Sequence, residues 1–150
     1  MGARCTMKLS TRVRYAMRAM LELALQADAP SVSSRDVAAR QEVSEKYVGQ
    51  LLAQLRTAGL VHSVRGQGGG FRLARPPEEI RLLDVVLAFE GTLAPVACVD
   101  EPDLCPRAAG CVARDLWCEL KESLEVPLRK STLADLVSRH RKKARALSRT

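Results

Sequence analysis

Three cysteines close together in the chain are the residues best suited to chemistry. Cys98, Cys105 and Cys111 are separated by six and five residues, in a stretch rich in Pro, Gly and Asp. Thiolates are soft ligands, and three of them on one short segment can converge on a metal ion or cluster. Zinc sites usually use closer Cys-x2-Cys pairs, so the wider spacing favours separate attachment points on an iron–sulfur cluster. Spacing alone equally permits reduced thiols that bind nothing.

The remaining cysteines and the absence of targeting signals indicate where the protein works. Cys118 lies seven residues after Cys111 and is expected inside a helix core, whereas Cys5 is expected to be a bystander. An odd number of cysteines argues against structural disulfides. The sequence has no apolar run of about 20 residues and no recognisable secretory signal. We therefore predict a cytoplasmic protein with no membrane partner.

The stretch from Val37 to Leu73 has the order of a winged helix-turn-helix for duplex DNA. A capped helix begins after Ser44 and presents long polar and small residues opposite an apolar stripe, as a major-groove helix requires. Two predicted strands, 60–64 and 71–74, flank a glycine-rich tip that can lie close to a sugar-phosphate wall. The candidate DNA-binding residues are Ser44, Lys46, Tyr47, Gln50, Arg65, Gly66, Gly68, Gly69 and Arg72.

Charge along the chain agrees with a DNA-binding N-terminal half. Residues 1–75 hold 12 Lys or Arg against 5 Asp or Glu, residues 76–138 hold 6 against 12, and residues 139–150 hold 6 against none. A basic block followed by an acidic one places the nucleic-acid face in the first half and leaves the middle for sensing or self-association. Only 3% of the residues are aromatic, which disfavours stacking on single strands.

Periodicity and turn signals divide the chain into four segments and predict a mainly α fold with a small β-hairpin wing. The four segments are a winged helix-turn-helix domain (7–91), a cysteine-bearing sensor loop (92–111), a dimerisation helix followed by a short C-terminal helix (112–138), and a basic tail (139–150). The first helix is expected over 11–27, with its buried stripe on Val13, Ala16, Met17, Met20, Leu21 and Ala24. The long helix from Val112 to Lys130 places four leucines four residues apart, which suits packing against a twin helix better than a free surface. Pro127 is expected to kink or end that helix, and a disordered basic tail is expected after it.

Several motifs together resemble the Rrf2 family of bacterial transcription regulators. They are the segments 7–11, 44–47, 63–70 and 82–85, the three-cysteine loop, and Asp115-Leu116-Trp117, in the same order and at similar intervals. The resemblance covers nearly all of residues 7–138. It implies a homodimer that binds partly palindromic double-stranded operators. It also implies an iron–sulfur cluster, [2Fe-2S] or [4Fe-4S], held by Cys98, Cys105 and Cys111, through which iron–sulfur, redox or nitric oxide status is sensed.

The sequence departs from that family at the expected fourth ligand. Cluster-assembly regulators have a histidine three residues after the third cysteine, where this chain has Arg114, and nitric-oxide sensors have an aspartate where it has Arg14. Asp115, Cys118, water or a small thiol would then complete the site, or else one iron would stay open to exogenous ligands. One extra residue lies between the first two cysteines. Gly49 stands where the cluster-assembly regulators have a recognition-helix glutamate, and its cost to helix stability suggests close approach to a base edge or backbone.

Functions of other classes fit the residues less well. The chain has no Ser-His-Asp order, no phosphate loop followed by Lys and Thr, and no metal-binding histidine pair, so it is predicted not to be an enzyme and to have no small-molecule substrate. Two alternatives remain: a metal-free winged-helix regulator that responds to thiol oxidation or a partner protein, and a zinc-stabilised interaction module.

Overall fold

The computed structural model describes residues 8–149, which form six α-helices and one two-stranded antiparallel sheet. The helices are α1 (Thr11–Leu25), α2 (Ser34–Gln41), α3 (Glu45–Thr57), α4 (Leu82–Glu90), α5 (Val112–Lys130) and α6 (Leu133–Leu147). The strands are β1 (Val61–Val64) and β2 (Gly70–Leu73). Short 3₁₀ turns lie at Pro77–Glu79, Ala97–Val99, Pro102–Leu104 and Ala108–Gly110. This confirms a mainly helical winged-helix fold.

The core lies between α1, α3 and α4, with β1 and the start of α6 closing it. The apolar faces of these helices supply its largest fully buried side chains, which include Met20, Leu23, Leu52, Leu55 and Leu133. The predicted stripe of α1 is only partly right. Ala19 and Leu23 are buried, whereas Met17 and Leu21 pack at the edge of the core, because core elements contact a wider face of α1 than one stripe.

The hairpin pairs Val61 with Leu73 and Val64 with Gly70, each strand lying within one residue of its predicted bounds. A third short segment joins it, since Val32 and Phe71 exchange two backbone hydrogen bonds of 2.8 Å. This bridge holds the hairpin against the chain between α1 and α2.

The C-terminal part differs most from the sequence prediction. The last helix is not short, because α6 runs for 15 residues and includes most of the segment predicted as a disordered basic tail. Thr132 and Asp135 form a capping box at its start, with hydrogen bonds in both directions. Helix α5 does not end at Pro127 but continues to Lys130, since the proline lies in its last turn and interrupts little of the helix. No helix within residues 8–149 has the length and apolarity needed to cross a membrane. Cys5 lies outside the described residues.

Candidate nucleic-acid interface and cysteine segment

Helix α3 has one apolar face and one exposed polar face. The apolar face is buried on Val48, Leu51, Leu52 and Leu55. Ser44 caps the helix, because its Oγ accepts a hydrogen bond from the backbone N–H of Tyr47 at 3.2 Å. Lys46 and Gln50 are exposed. Gly49 meets no close neighbour, since a Cβ there would have nothing within 4 Å. An added side-chain carbon at Gly49 would therefore project into open space.

The ring of Tyr47 packs against helix α1. It meets Tyr15 edge to face, with ring centroids 5.8 Å apart and planes at 82°. The guanidinium groups of Arg14 and Arg18 lie 5.9 and 5.5 Å from the centroid of Tyr15. Sequence reasoning missed this cluster, although the placement of Arg14 and Arg18 beside Tyr15 was a usable signal. The cluster adds two cations beside the start of the recognition helix.

The wing is shaped by its glycines and held by a serine. Gly66 and Gly68 have φ values of +102° and +75°, a region that glycine adopts without steric cost. The hydroxyl of Ser31 donates a 2.7 Å hydrogen bond to the carbonyl of Gly68. Arg65 is exposed at the start of the tip, and Arg72 is exposed within β2, where it pairs with His62. Across residues 8–149, neither arginine forms an ion pair with an acidic side chain.

A polar chain connects the recognition helix to α4. Arg12 donates to the side-chain oxygen of Gln54, and its guanidinium lies 5.4 Å from the ring centroid of Phe89. Gln54 in turn donates a 2.7 Å hydrogen bond to the carbonyl of Ala88. The cysteine segment begins just after α4, so these hydrogen bonds connect α3 to the helix that precedes that segment.

The four described cysteines are free, half-buried thiols on residues 98–118. Cys98 lies in the 3₁₀ turn Ala97–Val99, and Cys105 follows the turn Pro102–Leu104. Cys111 is the N-cap residue of α5, and Cys118 lies two turns into that helix. Among residues 8–149, no three His, Cys, Asp or Glu side chains are arranged to hold a metal ion. The structure therefore brings the predicted ligands onto one segment but not into one coordination sphere.

Arg114 ties the cysteine segment to the start of α5. Its Nε donates to the carbonyl of Cys98 at 2.8 Å, and its Nη2 donates to that of Val99 at 3.4 Å. Arg114, which stands where the cluster-assembly regulators have a histidine, therefore clamps the backbone beside the first cysteine. A positive guanidinium is also unable to act as a metal ligand.

A second tie lies further along α5. Lys121 Nζ donates to Asp100 Oδ1 at 2.7 Å, and Thr92 donates to the other oxygen of the same carboxylate. These hydrogen bonds, first that of Lys121 and then that of Thr92, hold the pKa of Asp100 below its ordinary value. The bond to Asp100 correspondingly raises the pKa of Lys121. Both ends of the cysteine segment are thus attached to α5.

Helix α5 is unusually exposed for an amphipathic helix. None of its residues is buried, and Leu116 and Leu124 remain 49% and 42% exposed. A separate apolar groove of about 370 Å³ lies between α1, α4, α5 and α6, lined by Leu9, Val13, Met17, Leu21, Val86, Leu128 and Leu136, with Arg14 and Arg18 at its rim. Exposed leucines and an open apolar groove on one chain are features of a surface that another chain covers.

The chain is similar in sequence and in structure to known transcriptional regulators. Residues 9–139 match the family model Rrf2, described as an iron-dependent transcriptional regulator. Protein rrf2 of Nitratidesulfovibrio vulgaris is 43% identical over 131 residues, which is 87% of each chain. The solved structure of T. potens IscR matches with a TM-score of 0.74 and 38% identity, covering 89% of this chain and 88% of the other. CymR of B. subtilis, described as the global cysteine regulator, matches with a TM-score of 0.73 and 34% identity over 87% and 96%.

Proposed function

The chain belongs to the Rrf2 family of transcriptional regulators rather than to a class of enzymes, and from that premise we propose that it is a cytoplasmic homodimer that binds operator DNA and senses iron–sulfur or redox status through Cys98, Cys105 and Cys111. The observation that carries the DNA-binding part is the exposure of unpaired polar residues on α3 and on both sides of the wing tip. Lys46, Gln50, Arg65 and Arg72 are the side chains that would meet DNA.

Each of these residues suits a different part of DNA recognition. Gln50 can bind adenine edges in the major groove with paired hydrogen bonds, whereas Lys46 supplies charge to phosphate. Arg65 lies where the wing would reach an adjacent groove. Ser44 and Tyr47 have structural partners, so we assign their side chains to positioning α3 rather than to reading bases.

Substitutions on the helix and the wing test the DNA-binding proposal. Arg65→Ala should weaken operator binding by about 1–3 kcal/mol, and Lys46→Ala should lower the salt dependence of binding by about one unit. Gln50→Ala should relax base preference more than it lowers non-specific binding. Arg35→Ala, an exposed arginine of α2, is the control. Unchanged operator affinity in the first three variants would refute the interface.

The homodimer proposal rests on α5. A 19-residue helix with no buried residue and leucines at 116, 120, 124 and 128 is expected to pack against its symmetry mate. Two recognition helices related by a two-fold axis then meet a partly palindromic operator, with half-sites about 34 Å apart.

The donor set of the cysteine segment fits an iron–sulfur cluster. Three half-buried free thiols on one segment of 3₁₀ turns are the soft ligands that such a cluster requires. Cys98, Cys105 and Cys111 would hold it, and a bound cluster would supply iron atoms that react with oxidants or bind nitric oxide. Arg114 would keep its grip on the carbonyls of Cys98 and Val99, so the fourth ligand has to come from Asp115, Cys118, water or a small thiol.

Anaerobic purification with iron and sulfide analysis tests the cluster. We expect a brown protein that loses its colour when Cys98, Cys105 or Cys111 is replaced by serine. Cys118→Ser distinguishes a fourth ligand from a packing residue. A colourless protein with normal redox-dependent DNA binding would instead favour the metal-free regulator. Stoichiometric zinc without redox response would favour the interaction module.

A further inference from the structure

The C-terminal end of α6 is the most basic surface of the chain. Residues 139–150 contain six Lys or Arg and no acidic residue. The helix runs to Leu147, and residues 138–149 are exposed throughout. The family match ends at residue 139, so this segment lies beyond the part of the chain that the family describes. Its function has to be inferred from its own geometry.

The cations of this segment form two groups on the helix. Arg141 and Lys142 both neighbour Arg145, at i, i+4 and i, i+3, and the three make up a first face. Arg139 and Lys143 do not line the concavity that this first face borders. Arg139 faces Asp135, whose pKa is held below its ordinary value by hydrogen bonds from Thr132 and, to a smaller extent, by this arginine.

The first face borders a trough that leads to the wing. Arg141, Lys142 and Arg145 line a concavity of about 480 Å³ beside the end of α1 and the turn at Pro77. A neighbouring concavity of about 360 Å³ is lined by Arg72 and Arg75, and the two share Ala27 and Pro77. Basic side chains thus continue from strand β2 to α6 along one side of the molecule.

Two acidic residues also line the trough, against three cations. Asp28 and Glu78 line it, but in the part of the chain that the structure describes neither forms an ion pair with Arg141, Lys142 or Arg145. Three unpaired cations on about one turn of helix repel one another. A polyanion that follows the surface relieves that repulsion and releases counterions.

We propose that Arg141, Lys142 and Arg145 contact the phosphates of operator DNA outside the stretch covered by α3 and the wing. The inference rests on the proposed function, because it needs the winged helix to place DNA beside β2. Duplex DNA is the partner favoured here, since residues 139–150 have no aromatic side chain on which single-stranded bases could stack. Contacts of this kind add affinity without sequence preference.

Two double variants of equal charge test the proposal. Arg141→Gln/Arg145→Gln removes two cations that line the trough, and Arg139→Gln/Lys143→Gln removes two at the same i, i+4 spacing that do not line it. Glutamine keeps helix propensity close to that of lysine and arginine. The wild-type protein first selects a duplex from a random pool. One probe is this duplex trimmed to the winged-helix footprint. The other is the same duplex extended by about one helical turn, about 10 base pairs, on each side.

Wild-type protein should bind the extended duplex more tightly than the trimmed one. The trough variant should lose that gain, with a salt slope lower by about two per subunit, whereas the matched variant keeps both. Equal behaviour of the two variants, with helicity preserved by circular dichroism, would overturn the proposal. So would a trough variant that binds both duplexes normally but loses binding to phosphatidylglycerol vesicles.

The wing variant separates this inference from the proposed function. Arg65→Ala should weaken binding to both duplexes alike. If wild-type protein selects no sequence from the pool, the winged-helix function itself fails, and the inference fails with it. If the wild-type protein selects a sequence and Arg65→Ala weakens binding as expected, but the extended duplex binds no more tightly than the trimmed one, only the proposed α6 contact is wrong.

Discussion

Adding one methyl group to the wing should destabilise the protein, whereas adding one to the recognition helix should stabilise it. A Cβ at Gly70 would stand 2.4 Å from the carbonyl oxygen of Val32 and 2.6 Å from its carbonyl carbon. Both atoms are backbone, so no flexible side chain can yield. Strand β2 has to move away from Val32.

The cost follows from the contacts that this movement breaks. Val32 and Phe71 exchange two backbone hydrogen bonds of 2.8 Å, and Val32 is buried. A protein hydrogen bond contributes about 0.5–1.5 kcal/mol, so Gly70→Ala should cost about 1–3 kcal/mol of unfolding free energy. Gly49→Ala places its methyl in open space within α3 and should add about 1 kcal/mol, the difference in helix propensity between the two residues.

Urea denaturation followed by circular dichroism measures both effects. The midpoint should fall for Gly70→Ala and rise for Gly49→Ala, with unchanged slopes. Operator affinity provides a second measurement, because Arg65 lies on the hairpin that Gly70→Ala displaces. A Gly70→Ala midpoint equal to that of the wild type would refute the contact between the wing and Val32. A destabilised Gly49→Ala would mean that the space beside α3 is not open.

Three further outcomes follow from other parts of the structure. Leu124→Glu puts a charge on the exposed stripe of α5 and should convert dimers to monomers in analytical ultracentrifugation. The winged domain should keep its helicity. An intact dimer would exclude this stripe as the interface. Leu52→Ala removes a fully buried core side chain and should cost about 2–5 kcal/mol in urea titrations, against little change for Ala53→Ser on the exposed face. Because hydrogen bonds from Thr132 lower the pKa of Asp135, its contribution to the start of α6 is present above the unfolded pKa of about 3.9 and disappears as the pH falls through the folded value. Helicity should therefore decrease below about pH 4 in the wild type, a step that Asp135→Ala abolishes; an unchanged acid titration would contradict the capping box.

The winged helix was readable from the sequence because its signals are local. Capping serines at positions 33 and 44, apolar residues at helical spacing and a glycine-rich tip each determine the structure within a few residues. The same holds for the capping box before α6. Local propensity therefore sufficed to predict the elements that position the DNA-binding face.

Contacts between distant residues were not readable in this way. Ser31 holding Gly68, Gln54 reaching Ala88 and Arg114 clamping Cys98 all join residues far apart in sequence. Such bonds depend on how elements pack, which periodicity does not encode. The extent of α6 was missed for another reason. Its basic residues suggested a solvated tail, but Lys and Arg are also good helix formers, and the apolar start of the helix anchors it to the core.

The incomplete burial of α5 would make protein concentration a folding variable. No residue of the helix is fully buried, and its own domain covers it only in part, through contacts such as that of Leu128 with the core. If a second chain supplies the missing contacts, mass action links the order of α5 to the amount of protein present, and the melting temperature rises as the solution is concentrated. Dilution would then loosen the helix to which both ends of the cysteine segment are attached. The abundance of the protein would thereby set how firmly its sensor region is held.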